Sequence, residues 1–472
     1  MNPAILSAFL WHMRYPGSWQ LSITLVSSMQ TIAGVSEHAA VTSSYIYMMP
    51  IYDRKRLIEP QCCSEILSSQ GRGANLALID TRSVNMELVA KYHVETDLSI
   101  KKAAEAIAAE QSTGTWTEVR GQDNPLAARV ISAESSDVEI GFPEELFEPG
   151  NIPQYLSVVA GNLFGLGALK KVRLEDVIFP DKLLRAHNGP RYGIEDARKF
   201  LGVFDRPLIG TIVKPKVGLD PAGTAEVAAA AVRGGLDLVK DDETLTDQSF
   251  CPLISRLEAV MAALDKVERE TGKKAFYALN VTAGADIILE RAEQAVDHGA
   301  NMVMIDVLTA GFSALEQLSK SLKVPVHVHR TMHGAFTRDK GHGISMLFIS
   351  KLVRMCGGTN LHTGSYMGKM AGETQENDLS RDALRKDWHG YKKVFPVASG
   401  GIYPSKVYGN LDGYGIDCIV QAGGGVHGHP DGTTAGARAL VQATEAWLKH
   451  IPLQEYAKDH KELDTALKYW GY

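Results

Sequence analysis

The sequence predicts an α/β protein, with a C-terminal (β/α)8 TIM barrel behind a smaller N-terminal α+β domain. Three observations predict it. Eight short apolar runs of strand character follow Asp205, over a length close to the roughly 250 residues typical of that fold. Amphipathic segments separate the runs, so strand and helix alternate. No Gly-x-Gly-x-x-Gly follows the first run, which argues against an open dinucleotide-binding sheet.

Residues 1–85 differ from the rest. An apolar patch, Ala4 to Met13, and an uncharged stretch rich in Ser, Thr and Gln, Gly17 to Val35, are separated by Arg14 and Pro16, and neither has the character of a membrane span. No basic segment precedes the patch, as a signal peptide would require. Residues 61–85 carry no steady period and no capping pattern. This segment is therefore expected to be a disordered or non-native extension, with the folded chain beginning near Met86. Peptides from residues 1–70 in natively expressed protein would refute that.

Residues 86–184 read as the small domain. Its expected strands are Leu88–Val94, Trp116–Arg120, Ala127–Ser132 and Val138–Phe142, with helices over Ser99–Glu110 and Pro153–Leu163. Residues 185–472 read as the barrel with C-terminal helices. Its expected strands are Pro207–Val213, Leu236–Lys240, Ala275–Val281, Met302–Val307, Val324–His329, Asn360–Thr363, Val394–Ala398 and Asp417–Gln421.

The formal net charge is −6 with no basic tract, so neither nucleic acid nor an anionic membrane is an expected partner. Five scattered cysteines without metal-ligand spacing suit a reducing, cytoplasmic setting.

In a barrel of this kind, chemistry belongs at the C-terminal ends of the strands. Strand one ends in Lys214-Pro215-Lys216 and strand two in Lys240-Asp241-Asp242-Glu243. Strand periodicity puts Lys240 and Asp242 on one face and Asp241 on the other, with Glu243 able to bend back. An ion pair is the plain reading of a lysine among carboxylates. A buried lysine, however, loses its charge readily, and a neutral amine can capture CO2 as a carbamate. Lys240 so modified, with Asp242 and Glu243, offers an all-oxygen ligand set suited to Mg2+. Asn280 and Asp306 end strands three and four. His327, His329 and Arg330 end strand five, and His362 ends strand six before the loop Ser365-Tyr366-Met367-Gly368-Lys369. Ser399-Gly400-Gly401 and Gln421-Ala422-Gly423-Gly424-Gly425 close strands seven and eight. Tight turns alone would explain those glycines, but a second cationic cluster, Arg330 with His362, lies at the same rim. Two anion sites flanking a metal site point to a small substrate phosphorylated at both ends.

From Met86 to Tyr472 the chain resembles the large subunit of RuBisCO, ribulose-1,5-bisphosphate carboxylase/oxygenase. The motifs are GTIVKPKVGL, GGLDLVKDDE, LNVTAG, HVHRTMH, HTGSYMGKM, PVASGGI and QAGGGVHGHPDG on the barrel, and EQSTGTW and AGNLFG on the small domain. The closing IPLQEYAKDHKELDTALKYWGY is similar to the archaeal form III branch, built of large subunits only. The resemblance implies addition of CO2 to ribulose 1,5-bisphosphate, with an O2 side reaction, to give 3-phosphoglycerate. It implies that Lys240 carries the carbamate and binds Mg2+ with Asp242 and Glu243. Lys214 would protonate the final carbanion, tuned by Lys216, and His329 would accept a further proton. Lys369 would close over the site on its loop. Arg330, His362 and Ser399 would hold one phosphate. Gly400, Gly401, Gly423, Gly424, Thr115 and Trp116 would line the other side, and Gln421 and Ala422 would also be substrate-binding. Glu110, Thr115, Trp116 and Asn162 would reach the barrel mouth of a neighbouring subunit, making a homodimer or larger homo-oligomer without a small subunit.

The small domain is shortened between Trp116 and Phe142, and the loop after strand six has serine, Ser365, where the family often has threonine. A relative that only enolises a related sugar phosphate is the alternative enzyme, and a silent assembly subunit is a third reading. The first would shed residues that handle CO2, yet Lys214, Lys369, Glu110 and Asn162 are present. The second would let the metal triad decay, and it is whole.

Overall fold

The computed structural model describes residues 87–114, 124–369 and 374–471. The expectations for residues 1–86 and for the strand Trp116–Arg120 lie outside them.

Strand β1 (Glu87–Glu95) is the centre of the small domain, with β3 (Asp137–Pro143) antiparallel on one side and β4 (Lys171–Ile178) antiparallel on the other. Strand β2 (Arg129–Glu134) pairs with β3 at the edge. Leu88, Ala90, Tyr92 and Val94 alternate inward against the helix Ile100–Glu110, whose buried face is Ala103, Ala104, Ile107 and Ala108. Ser99 caps that helix by accepting from the Lys102 N–H. The second helix runs only over Ile152–Val159, shorter than expected. At Gly161 the chain turns so tightly that a Cβ would stand 2.5 Å from the Ser157 carbonyl oxygen.

Strand β4 is absent from the sequence prediction. Val172, Leu174 and Val177 face the core, but the adjacent acids Glu175 and Asp176 break the two-residue period. The structure absorbs the extra residue as a bulge opposite Lys91 and Tyr92.

The eight expected barrel strands all form and close a parallel barrel: β5 (Leu208–Ile212), β6 (Leu238–Lys240), β7 (Phe276–Asn280), β8 (Met302–Asp306), β9 (Val326–His329), β11 (Asn360–Gly364), β12 (Phe395–Ser399) and β13 (Ile419–Gln421). Between β9 and β11 a two-residue strand, β10 (Gly343–Ile344), leaves the barrel and pairs with β4 of the small domain. Arg173, 4% exposed on β4, reinforces that junction. It donates to the Thr337 and Asp339 carbonyls and to Glu376, which also accepts from the Met346 N–H.

Several barrel strands begin one or two residues later than expected, and their first residues lie at the barrel floor. The helix Ile194–Leu201 closes that end, packing Ile194 and Ala197 against Leu208, Leu238, Phe276, Met302, Phe395 and Ile419. Asp237, fully buried, accepts from both terminal nitrogens of Arg206 at 2.7 and 2.8 Å, from Lys273 at 2.7 Å and from the Ile209 N–H at 2.9 Å. Burial opposes its charge, but these donors outweigh it and hold the carboxyl below its usual range. Asp237→Ala would strand two cations, so a loss of about 3–5 kcal/mol is expected in urea unfolding. A change under about 1 kcal/mol, the range of an exposed pair, would mean that the network carries no such load.

Among the described residues no helix is long and apolar enough to cross a membrane.

Candidate active site

Strand β6 delivers Lys240 to the barrel mouth with its side chain fully buried. Its Nζ donates to the Asp241 carbonyl at 2.6 Å and lies 3.9 Å from Glu243 Oε2. Burial is the largest influence on this amine and draws its pKa down, against the pull of Glu243, Asp306, Asp242 and Asp241.

Asp242 shares the Lys240 side of the strand end. Its Oδ2 accepts from Lys214 Nζ at 2.7 Å, and its Oδ1 from the Thr244 hydroxyl at 2.9 Å. Burial raises its pKa, yet these donors prevail and leave it lowered. Asp241 turns to the opposite face, as strand periodicity predicts. There it meets fully buried Arg256, with Nη2 at 3.1 Å, and accepts from Tyr277 OH at 2.5 Å and the Asn280 N–H at 2.9 Å. Asn280 also donates to the Glu243 carbonyl, at 3.1 Å. The strand end is thus clamped from behind while Asp242 and Glu243 face the mouth.

Among the described residues no three His, Cys, Asp or Glu side chains form a metal-binding group. Asp242 and Glu243 supply two hard oxygen donors, one ligand short of such a group. A buried amine beside them whose charge is disfavoured is suited to become the third, as a carbamate. The donor set therefore fits Mg2+.

On the facing strands, His329 Nδ1 lies 2.7 Å from Asp306 Oδ1 and 2.9 Å from Thr331 Oγ1, while its Nε2 is 4.0 Å from Glu243 Oε2. Burial lowers the His329 pKa despite the Asp306 bond. His362 places Nδ1 2.6 Å from Ser399 Oγ and Nε2 2.8 Å from His327 Nε2. Both buried rings are held well below the usual imidazole range, first by desolvation, so they stand neutral. Arg330, 8% exposed, is drawn down to about 10 by burial. It borders a cavity of about 1070 Å3 that Gly364 and Lys369 also line.

The backbone N–H of Lys369 donates to the Gly400 carbonyl at 2.8 Å. Gly400 and Gly401 take φ of 102° and 73°, and a Cβ on Gly401 would stand 2.4 Å from that of Lys369. Gly423 lies beside Lys214, where an added Cβ would meet Cε at 3.4 Å. Gln421 and Ala422 serve the barrel seam: the Gln421 amide donates to the Thr211 carbonyl, and the Ala422 N–H is committed to Gly210. Lys216 is exposed at the rim, bordering the same crevice as Asp242.

The structure therefore gathers Lys214, Lys240, Asp242, Glu243, His329, Arg330, His362, Ser399 and the glycines at one end of one barrel. Glu110 and Asn162 remain on the small domain, and neither makes a hydrogen bond or ion pair with a barrel residue among the described contacts. Thr115 and Trp116 lie outside the described residues. Sequence reasoning missed Arg256 and Tyr277. The outward turn of Asp241 signalled that a partner was needed but could not say which.

The chain matches two family models: "Ribulose bisphosphate carboxylase large chain, N-terminal domain" over residues 79–183, and the corresponding catalytic domain over residues 193–470. It is 42% identical over 410 residues to the ribulose bisphosphate carboxylase of Methanosarcina acetivorans, covering 81% of this chain and 96% of that one. With the enzyme of Pyrococcus furiosus it shares 42% over 397 residues, covering 82% and 94%. Among solved structures, the octameric enzyme of Pyrococcus horikoshii superposes with a TM-score of 0.78 at 40% identity, over 82% of this chain and 93% of that one. The dimeric archaeal Rubisco of Hyperthermus butylicus gives 0.75 at 40%, over 82% and 96%.

Proposed function

The chain belongs to the ribulose bisphosphate carboxylase large-chain family and has that family's activity, and from this premise we propose that Lys240, carbamylated by CO2, joins Asp242 and Glu243 as ligands of Mg2+. The observation that carries the proposal is the complete burial of Lys240 beside two carboxylates, where desolvation draws its pKa down and makes the neutral, nucleophilic amine easier to reach. When bound, Mg2+ would supply the Lewis acidity that polarises the sugar oxygens and acidifies the adjacent C–H.

The remaining steps belong to side chains. Modified Lys240 takes the proton at C3 of ribulose bisphosphate. His329, oriented through Nδ1 by Asp306, presents Nε2 toward the mouth as a further acceptor. Lys214, held by Asp242, returns a proton to the last carbanion, with Lys216 adjusting its charge. Arg330, His362 and Ser399 receive one phosphate. The backbone at Gly400, Gly401, Gly423 and Gly424 receives the other, with Gln421 and Ala422 fixing that backbone in place. Lys369 neutralises the carboxylate that forms from substrate CO2.

Glu110, Thr115, Trp116 and Asn162 complete the mouth of a neighbouring copy, which makes the protein a homo-oligomer with shared sites, form III in type and cytoplasmic. That neither Glu110 nor Asn162 makes a described hydrogen bond or ion pair with its own barrel is consistent with this. O2 competes with CO2 for the same enediol. The enolase-only alternative is not favoured, since relatives along the whole catalytic domain carry the carboxylase name.

Radiolabelled bicarbonate with ribulose bisphosphate and Mg2+ tests the reading. Labelled 3-phosphoglycerate is expected, and its absence from active-site-competent protein would sink it.

A further inference from the structure

The barrel closes where β13 meets β5, and the last ladder pair is Gln421 with Gly210. Side chains and backbone carry the seam onward from there. The Ala422 N–H donates to the Gly210 carbonyl at 3.1 Å, and the Thr211 hydroxyl donates to the Ala422 carbonyl at 2.7 Å. Beyond that point stands His427, with Nε2 2.9 Å from the Ile212 carbonyl and 3.0 Å from Thr211 Oγ1, and Nδ1 3.1 Å from Thr433 Oγ1.

These neighbours dictate the tautomer. A carbonyl can only accept, so Nε2 carries the hydrogen, and Nδ1 is left to accept from the Thr433 hydroxyl. Burial pulls the ring down to about 4, the Ile212 carbonyl opposing and the Lys214 charge assisting, which agrees with a neutral donor. On its other side Ile212 is already paired with Lys240 of β6. Toward β13 no strand residue remains opposite Ile212, and the imidazole takes that place.

A histidine that satisfies one carbonyl is often packing and nothing more. The position argues for more here. Ile212 lies two residues before Lys214, and His427 lies on the segment that carries Gly423 and Gly424. The Lys214 side chain runs along Gly423, close enough for an added Cβ to touch Cε at 3.4 Å. The ring therefore links the two stretches that present a lysine ammonium and a phosphate-facing backbone to the same end of the substrate.

We propose that His427 is a positioning residue for carboxylation, fixing the separation between Lys214 and the Gly423–Gly424 backbone through its hydrogen bond to the Ile212 carbonyl. The inference rests on the carboxylase reading, in which those glycines face a substrate phosphate. The ring acts as a strut, and it makes no hydrogen bond to Lys240, Asp242 or Glu243.

The test compares His427→Leu, which fills the space without a donor, with His427→Gln, whose amide can still reach the Ile212 carbonyl. In the leucine variant KM for ribulose bisphosphate is expected to rise about tenfold, the scale of one buried hydrogen bond, with a smaller change in kcat. Affinity for an unreactive bisphosphorylated pentitol, read by calorimetry, should weaken in parallel, while Mg2+ binding and CO2 activation stay at wild-type levels. The glutamine variant should recover most of the affinity. Wild-type KM in the leucine variant would overturn the proposal. So would equal losses in both variants accompanied by lower melting temperatures, which is the pattern of simple packing. Wild-type protein that binds the pentitol yet fixes no CO2 would instead refute the carboxylase reading, and the pentitol affinities of the variants would still decide the role of His427.

Discussion

In Lys240→Ala, carboxylation and tight Mg2+ binding are expected to disappear together, because on the proposed mechanism one side chain supplies a ligand and the base. Lys240→Arg separates the two accounts of this lysine. If Lys240 only pairs with its carboxylates, arginine keeps the charge and much of the function. If it becomes a carbamate, arginine fails as completely as alanine, since a guanidinium stays protonated and captures no CO2. Circular dichroism and thermal melting would establish that both variants fold, and calorimetric Mg2+ titration with and without CO2 gives a reading independent of turnover. The pH dependence has a definite sign. The carbamate forms from the neutral amine and releases a proton, so activation at fixed CO2 should rise with pH, and burial shifts that rise toward lower pH than an exposed lysine would show. Near-normal turnover in either variant would sink the carbamate.

Lys369→Ala is expected to divide the reaction in two. The Lys369 side chain is exposed on the loop after β11, and on the proposed mechanism its charge is required only once a carboxylate develops on the enediol. Proton exchange at C3 with solvent should therefore continue, while carboxylation falls about 100- to 1000-fold, or roughly 3–4 kcal/mol for the loss of one preorganised charge. Equal falls in exchange and carboxylation would put Lys369 ahead of the gas step and revive an enolase reading. No change in either would remove the loop from the mechanism.

The barrel was legible because its strands are buried on both faces and read as unbroken apolar runs, and because a charged residue at such a strand's end has few reasons to be there. Asp241 and Asp242 were separable by periodicity alone, and they do point apart. Strand β4 was hidden by Glu175 and Asp176, whose bulge resets the alternation in a way no local pattern announces. His427 was hidden differently. It sits in a glycine-rich stretch, Gly423-Gly424-Gly425-Val426-His427-Gly428, and its partners Ile212 and Thr211 lie over 200 residues away across the seam of the barrel. The phosphate-side roles proposed for Ser399 and the glycines rest on family resemblance, since a glycine pair after a strand is equally a turn.

The pairing of β10 with β4, locked by Arg173, bears on how this protein could be recombined with its relatives. A cut near residue 185 looks clean on paper because it separates two family models. In space the smaller module keeps a fifth strand that belongs to the larger one, and its buried arginine is answered by Glu376, far downstream. A chimera that exchanges residues 86–184 alone would leave that guanidinium facing a foreign strap. Grafts that also carry Thr337–Met346 and Glu376 from the same parent should be the soluble ones, so the heritable unit is a discontinuous set of three pieces.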